Sequence, residues 1–469
     1  MRYAMTAFVL SSALAGTAGA APAVIPEAPP PVVQPGIPGQ WSLTPAQPLP
    51  PLSDILAAPS PGRLIYGLYA WGSEYHAHRA AIQDIGWAAL RIAGPFDDAL
   101  MQALAEDGVQ TMVTLENRLL DAAKGLDRTA FATDEEFVEA CRTRMVGFLD
   151  RYGPGGAFFA EHPEVATRPI DEVEIWNEPN FQYLIPPDGR PQAELEAARE
   201  QLYVKLLRGV YPALKAKHPQ VTIAGMAGGG MSAGDLRFMD HVHASSAGLT
   251  GFYDVLSTHP YVRPAPPEAN AVESWGSYSI ARSVDYLRRA IASHGAVNRP
   301  VWITEIGWPI SQADGGRYPA PATQSFATPL LQAAYICRTY ALALRLGVSR
   351  VHVMFTTDTD HFNAGFFERD GRWRPSAHAV KTMIQQMPDP HLSGAISDGA
   401  DGYHAYTFTS PGQNPVIMAW NVAGPRAAQI PVPAEQVRVT DMFGHQTEKT
   451  AAKGLVTLTV GPCPVYLSW

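Results

Sequence analysis

Short apolar runs alternate with longer amphipathic segments from about residue 62 to residue 387. Eight of the runs have the length and composition of buried strands: Leu64–Tyr69, Ala88–Ile92, Gln110–Leu115, Glu172–Trp176, Val221–Ala224, Val255–Thr258, Val301–Thr304 and Arg350–Phe355. The segments between them, such as Glu135–Asp150 and Ala193–Lys217, space their apolar residues as helices do. Eight strand-then-helix units predict an α/β fold, a closed (β/α)8 or TIM barrel over residues 62–387.

The pattern changes after residue 387 to short alternating strands separated by turn residues. Five strands are predicted there: Gly402–Phe408, Pro415–Trp420, Gln436–Asp441, Leu455–Val460 and Val465–Trp469. Such a series indicates a small antiparallel β-sandwich over residues 388–469. We expect it to pack against the barrel.

The N-terminal sixty residues are expected to form an export signal and a tether, with the later part of the tether, around Trp41 and Leu43, docking on the folded body. Residues 1–20 combine an early arginine, a short apolar stretch and small residues near position 20, which is typical of a secretory signal peptide. Thirteen prolines within residues 21–61 predict an extended linker, since proline fixes φ and removes a backbone donor. The expected location is therefore secreted or periplasmic.

Composition and charge exclude several classes of function. Hydrophobic residues make up 46% of the chain and charged residues 17%, as in a globular protein. A net charge of −9 leaves no basic excess for binding nucleic acid. The three cysteines are far apart and no Gly-x-Gly-x-x-Gly follows the first strand, so we expect no metal, nucleotide or other cofactor.

Two glutamates fall at the barrel end where active sites form. Glu178 closes the fourth predicted strand and Glu305 closes the seventh, and the carboxyl ends of barrel strands face the active-site mouth. Cleavage of a glycosidic bond needs such a pair, with one group donating a proton and the other attacking the sugar or activating water. The sequence does not give their separation, so retention and inversion both stay open on this reasoning.

The two motifs around these glutamates resemble known enzymes. Ile175-Trp-Asn-Glu-Pro-Asn180 and Trp302-Ile-Thr-Glu-Ile-Gly-Trp308 are similar to the motifs of the retaining glycoside hydrolases of clan A. Family 39, which includes β-xylosidases, iduronidases and enzymes that digest biofilm exopolysaccharide, is the nearest resemblance. It implies that Glu178 is the acid/base and Glu305 the nucleophile.

The same resemblance assigns further residues. It implies that Asn177 bonds the sugar hydroxyl beside the reacting carbon, that Arg91 lies near the nucleophile, and that His259 and Tyr261 contact the nucleophile or the substrate. Arg91 also interrupts an apolar strand and therefore needs a carboxylate partner, for which Glu305 is the candidate.

Aromatic residues are frequent in the predicted loops at this end of the barrel, as carbohydrate clefts require. Trp308 lies three residues beyond Glu305 and is the expected sugar-stacking platform. Many clan A relatives close the eighth strand with a tryptophan, whereas Val353-Met-Phe-Thr-Thr357 has none, so the floor of the pocket is expected to differ.

The leading hypothesis is a retaining glycoside hydrolase that acts on a polysaccharide, with internal cleavage of a bacterial exopolysaccharide favoured by the long loops. An exo-acting β-glycosidase, such as a β-xylosidase, is one alternative. A non-catalytic carbohydrate-binding barrel in a polysaccharide synthesis or export apparatus is another. The expected partner in each case is a glycan, and the oligomeric state is left open.

Overall fold

The computed structural model describes residues 29–32, 34, 64–116, 127–229, 233–246, 248–269, 271–273, 276–295, 299–319, 326–359, 362–368 and 370–469. The predicted signal peptide and most of the predicted linker lie outside these residues. Among the helices that are described, none has the length and apolar character needed to cross a membrane.

Eight parallel strands of the described chain close into a barrel, which confirms the predicted architecture. The strands are β1 (Ile65–Trp71), β2 (Ala89–Ala93), β3 (Gln110–Leu115), β4 (Glu172–Ile175), β5 (Thr222–Gly229), β6 (Val255–His259), β7 (Val301–Ile306) and β8 (Arg350–Val353). Strand β1 pairs with both β2 and β8, so the ring is complete. A short hairpin, Ala271–Glu273 and Gly276–Tyr278, lies between β6 and β7.

Helices cover the outside of this ring. They are α1 (Gly72–Ile85), α2 (Asp98–Asp107), α3 (Asp134–Tyr152), α4 (Ala157–Glu161), α5 (Gln192–Lys217), α6 (Ala233–Ser245), α7 (Ile280–Ser293), α8 (Pro329–Arg345) and α9 (Pro375–Gln386). Local chemistry starts several of them. Thr133 and Glu136 form a reciprocal capping box before α3, and the Thr328 side chain accepts a hydrogen bond at the start of α8.

The C-terminal region is antiparallel, as predicted. Its strands are β9 (His391–Asp398), β10 (Tyr403–Thr409), β11 (Val416–Asn421), β12 (Arg426–Pro431), β13 (Gln436–Asp441), β14 (Gln446–Thr450), β15 (Leu455–Val460) and β16 (Val465–Ser468). Six form one sheet and β12 pairs with β15 in a second, with an apolar core between the two. Strands β9, β12 and β14 were not predicted, and the exposed β14 carries no apolar alternation that could signal it.

Helix α8 joins the two parts because it is buried on the barrel side and on the sandwich side. The Tyr340 hydroxyl donates to the Gly67 carbonyl of β1 at 2.9 Å, while Arg338 donates to the Pro462 carbonyl at 3.1 Å. Arg338 also forms a buried ion pair with Glu268, which accepts a further bond from the Trp420 indole at 2.7 Å. Barrel and sandwich therefore share one continuous core.

A few residues of the proline-rich segment lie on the sandwich. The amide of Val32 donates to Asp441 at 3.0 Å, and Gln34 exchanges two hydrogen bonds with the backbone of Cys463. All three cysteines are buried, and none of them forms a disulfide.

Candidate active site

The two glutamates meet at the carboxyl end of the barrel. Glu178 follows β4, and Glu305 lies within β7, which runs two residues further than predicted. One carboxylate oxygen of Glu178, one of Glu305 and a ring nitrogen of His259 all lie within 4.8 Å of one another. The Glu178 side chain is 12% exposed and that of Glu305 is 8% exposed, so both can contact a ligand in the cleft while being largely shielded from water.

His259, the last residue of β6, bridges the pair. Its Nδ1 lies 3.0 Å from Glu178 Oε1 and 3.0 Å from Glu305 Oε2, while Nε2 lies 3.1 Å from the Thr304 hydroxyl. Burial by itself would lower the pKa of His259, but the combined attraction of Glu305 and Glu178 outweighs it and raises this pKa to about 9. The single Nδ1–H of the protonated imidazole can then be shared between one oxygen of each glutamate.

Arg91 holds the opposite side of the site. Its Nε lies 2.9 Å from Glu174, its Nη2 lies 2.8 Å from Asn177 Oδ1, and its Nη1 lies 3.4 Å from Glu305 Oε1. The guanidinium is completely buried and also faces the ring of Tyr69. The sequence pointed to Glu305 as the partner of Arg91. Arg91 does pair with Glu305, but the closest carboxylate is Glu174, which lies within β4 and deeper in the barrel than Glu178.

These contacts separate the pKa values of the two rim carboxyls. Burial raises the pKa of Glu178, and the nearby negative charge of Glu305 adds to the rise. Burial acts in the same direction on Glu305, but His259, Arg91 and a hydrogen bond from Tyr261 overcome it and hold the pKa of Glu305 at about 2. The two environments therefore push the pKa values apart and favour the protonated form at Glu178 and the ionised form at Glu305, the division of roles that acid–base chemistry requires.

Unusual backbone geometry surrounds Glu178. Among the described residues, positive φ angles outside glycine occur at Trp176 (69°), Glu178 (42°), Met226 (85°) and Ala227 (29°), and otherwise only at Lys453. Conformations of this kind cost about 1–3 kcal/mol each and concentrate at functional sites. The Glu178 amide donates to the Ala227 carbonyl at 3.1 Å, so the ends of β4 and β5 hold each other in place.

Gly229 makes room for the Glu178 carboxyl group. A Cβ at this position would lie 2.2 Å from Glu178 Cδ, so any larger residue would force the Glu178 carboxyl group to move. Asn180 fixes Gly229 through two hydrogen bonds of 3.1 Å, one to its carbonyl and one from its amide. The glycines at the end of β5 do not have the pattern of a phosphate-binding loop. Gly229 instead leaves the space that the Glu178 side chain occupies.

A cleft of about 530 Å³ opens above the two carboxylates. Its volume falls within the range of small-molecule sites, about 300–1,000 Å³. Seven aromatic side chains line it: Tyr69, Trp71, Tyr183, Tyr261, Tyr318, Phe355 and Phe362. Flat aromatic faces beside paired carboxylates suit a sugar ring, whose C–H groups pack on such faces.

The structure brings Glu178, Glu305, Asn177 and Tyr261 together in this cleft, with Arg91 and His259 buried directly behind them. It contradicts the expectation for Trp308, which is fully buried and does not line the cleft. The indole of Trp308 donates to the Ala265 carbonyl at 2.8 Å and packs against α8. The chain turns outward after Glu305, so nearness in sequence does not place the ring near a ligand.

Several cleft residues were missed by the sequence reasoning. Glu74 at the start of α1, Arg263 after β6, and Arg317 and Tyr318 in the loop after β7 all line the cavity. Phe355 closes the end of β8 and packs on Tyr69 at 5.1 Å, so it occupies the pocket floor in place of a tryptophan. The only sequence signal for these cleft residues is that each follows a strand of the barrel.

Glu178, His259 and Glu305 are close enough to hold a metal ion, and they form the one such cluster found among the described residues. A cation there would meet the guanidinium of Arg91 and a protonated His259, both of which already compensate Glu305. The surroundings therefore fit a metal poorly and fit a proton donor beside an ionised carboxylate well.

No protein-family model matches the sequence, and the comparison with curated proteins finds no match. Solved structures do match in fold. A family 39 glycoside hydrolase from Bacteroides cellulosilyticus is 20% identical with a TM-score of 0.64, over 87% of this chain and 81% of that one. A family 39 β-xylosidase from Caulobacter crescentus is 16% identical with a TM-score of 0.52, over 87% and 97% of the two chains.

A third structure, a family 39 enzyme from Xanthomonas axonopodis, is 16% identical with a TM-score of 0.52, over 87% of this chain and 94% of its own. The barrel with its appended sandwich therefore has the fold of the family 39 glycoside hydrolases. This confirms the fold that the two sequence motifs implied. At such low identity the likeness establishes the fold, and the chemistry has to be argued from the site itself.

Proposed function

We propose that this protein is a retaining glycoside hydrolase, with Glu178 as the acid/base and Glu305 as the nucleophile. The observation that carries the proposal is the separation of at most 4.8 Å between a carboxylate oxygen of Glu178 and one of Glu305. Carboxyl groups about 5–5.5 Å apart are typical of retention, whereas about 6.5–9.5 Å leaves room for the water that inversion needs.

The proposed reaction has two displacements. Glu305 attacks the anomeric carbon while the protonated Glu178 gives its proton to the leaving oxygen, which yields a glycosyl ester on Glu305 and a free alcohol. Glu178, now ionised, then takes a proton from water as that water attacks the same carbon and releases Glu305. Asn177 lines the cleft with its amide oxygen held by Arg91, so its NH₂ group can donate to a sugar hydroxyl.

Trapping of the covalent intermediate tests this assignment. A panel of 2-deoxy-2-fluoro glycosides with good leaving groups slows both steps, and we expect a reactive member to label Glu305, as located by peptide mass spectrometry. The first product detected by NMR from any cleaved substrate should keep the configuration of that substrate. Inverted product, or label on another residue, would contradict the proposal.

The proposed substrate is a polysaccharide cleaved internally outside the cytoplasm. Loops after β6, β7 and β8 contribute to the cleft, and its aromatic lining comes from several of them, which supports binding of more than one sugar unit. Product sizing checks the mode of attack. Oligosaccharides should appear before monosaccharides, whereas monosaccharide release from the outset would indicate an exo-acting enzyme.

The His259 contacts predict a shift of the pH profile. In His259→Asn the pKa of Glu305 should rise because it loses the adjacent imidazolium, so the acid limb of kcat/KM moves to higher pH. The pKa of Glu178 should rise as well, because the hydrogen bond from His259 lowers it in the native protein, and the alkaline limb follows. Replacing His218, which pairs with Asp150 away from the cleft, is the matched control. Unchanged limbs in His259→Asn would contradict the proposed electrostatics.

A further inference from the structure

Two arginines in the cleft form no ion pair with any carboxylate of the described residues. Arg263 follows β6, four residues after His259, and Arg317 lies in the loop after β7, and both line the cavity that contains Glu178 and Glu305. Within the described part of the chain neither guanidinium forms an ion pair or a side-chain hydrogen bond. Arg374, close to Arg317 in the fold, shows the opposite behaviour, since it is paired with Asp358 and Glu368.

Aromatic rings fix the position of each guanidinium. Arg263 lies 4.6 Å from the ring centre of Phe362 and 5.7 Å from that of Tyr261, and Arg317 lies 4.7 Å from that of Tyr318. Stacking uses the flat face of a guanidinium and leaves the N–H donors in its plane available. The rings thus position both groups, and their N–H donors are not used by any side chain that the structure describes.

Arg263 lies close to the reacting centre. Its guanidinium lies 5.7 Å from the ring centre of Tyr261, which lines the cleft together with the nucleophile Glu305 and helps to lower the pKa of Glu305. A ligand group that reaches Arg263 therefore belongs to a sugar at the scissile bond or next to it. Arg317 is exposed at the rim, where it can meet the same group or one on the neighbouring sugar.

The acidic residues of the cleft are already compensated. Glu305 faces Arg91 and His259, and Asp358 is paired with Arg374 through two contacts of 2.7 Å. Burial raises the pKa values of Glu178 and Glu74 and so favours their neutral forms. An incoming glycan consequently meets two positive charges without a carboxylate partner in the described part of the chain, in a protein whose net charge is −9.

We infer that the glycan bound by this cleft carries an anionic substituent beside the scissile bond, a sugar carboxylate or a sulfate ester, held by Arg263 and Arg317. Arg263 is half-buried, so a neutral sugar bound over it would remove water from its guanidinium without supplying a charged partner. An oxyanion matches the planar fork of arginine and forms charge-assisted hydrogen bonds to it. This inference rests on the proposed function for its place in the reaction and extends it to the class of substrate.

Binding to an inactive variant tests the inference separately from turnover. The probes for Glu178→Gln are polygalacturonate, alginate and hyaluronan, each compared with its methyl-esterified form, and dextran sulfate compared with dextran. Calorimetry should show at least one acidic polymer bound about 10-fold or more tightly than its neutral match. The esterified and sulfated pairs distinguish a carboxylate from a sulfate as the recognised group.

In the same background, Arg263→Gln and Arg317→Gln should each weaken binding of that polymer by about 10-fold, with no effect on the neutral form. Arg263→Lys keeps the positive charge but not the two parallel N–H donors of the guanidinium, so its affinity for the acidic polymer should lie between those of the wild-type residue and Arg263→Gln. Arg438→Gln, which removes an exposed charge on the sandwich, is the matched control. Binding of no polymer, no preference for an acidic form, or unchanged binding in both arginine variants would overturn the inference.

Cleavage of the same polymers by the wild-type protein distinguishes the two proposals. Acidic preference in binding without any hydrolysis would leave the anion site standing and remove the proposed glycosidase. Hydrolysis of neutral polymers at equal rates by wild-type and Arg263→Gln would support the proposed glycosidase and remove the anion site.

Discussion

Glu305→Gln should lose nearly all turnover, and Glu178→Gln should lose about 10²–10⁴-fold in kcat, the typical contribution of a general acid. The loss in Glu305→Gln should be the larger, because an amide cannot form the covalent intermediate on which both displacements depend. Initial rates on a cleaved glycan, measured with the same folded fraction of each variant, check this result. Glu448→Gln, an exposed glutamate on the sandwich, is the matched control.

Azide rescue separates the two roles. In Glu305→Ala, azide can take the place of the nucleophile and attack once, so the glycosyl azide should have inverted configuration. In Glu178→Ala, azide should attack the intermediate on Glu305 after a first displacement, so the product should keep its configuration. The same stereochemistry from both variants would contradict the assignment, and so would near-normal activity in either Gln variant.

Arg91→Met should destabilise the protein by about 3–5 kcal/mol, the usual cost of leaving a buried charge without its partner. Glu174 has no exposure, and it loses both of its bonds from Arg91 in this variant. Urea unfolding followed by tryptophan fluorescence measures the change. The pKa of Glu305 should also rise, because a positive charge 3.4 Å from its oxygen has gone.

The double variant Arg91→Met/Glu174→Gln identifies the cause of that loss. It should be more stable than Arg91→Met because no buried charge remains unpaired. Activity should stay low in the double variant, since the nucleophile still lacks its cation. If Glu174→Gln instead lowered the stability further, the loss in Arg91→Met would come from disrupted packing and not from the unpaired charge of Glu174.

The barrel could be predicted because its signals are local. A parallel strand covered by helices is apolar along its length, and β3 falls residue for residue where the pattern placed it. The sandwich strand β13 does so as well, because its buried and exposed residues largely alternate. Polar strands such as β14 were missed because an exposed edge strand buries nothing and so needs no apolar residues. The same local pattern places Glu178 and Glu305 at the carboxyl ends of their strands, so their location at the mouth of the barrel could be predicted as well.

The partners within the site could be predicted only in part, since Arg91 and His259 do contact Glu305 as expected but Arg91 has a second, closer carboxylate. Arg91 needed a carboxylate, but the depth of Glu174 along β4 decided which one lies closest. Trp308 was misplaced because sequence spacing does not give the direction in which the chain leaves a strand. Gly229 had no signal of its own, since its role depends on the distance to a side chain fifty residues earlier.

By itself, the sequence determined the barrel, the sandwich and the two glutamates at the mouth, because apolar periodicity and strand position are properties of short segments. The tertiary structure decided the separation of those glutamates, their opposite pKa shifts and the position of the two cleft arginines, which have no ion-pair partner among the residues described. These properties depend on distances between residues far apart in the chain, and only the closed ring of strands sets such distances.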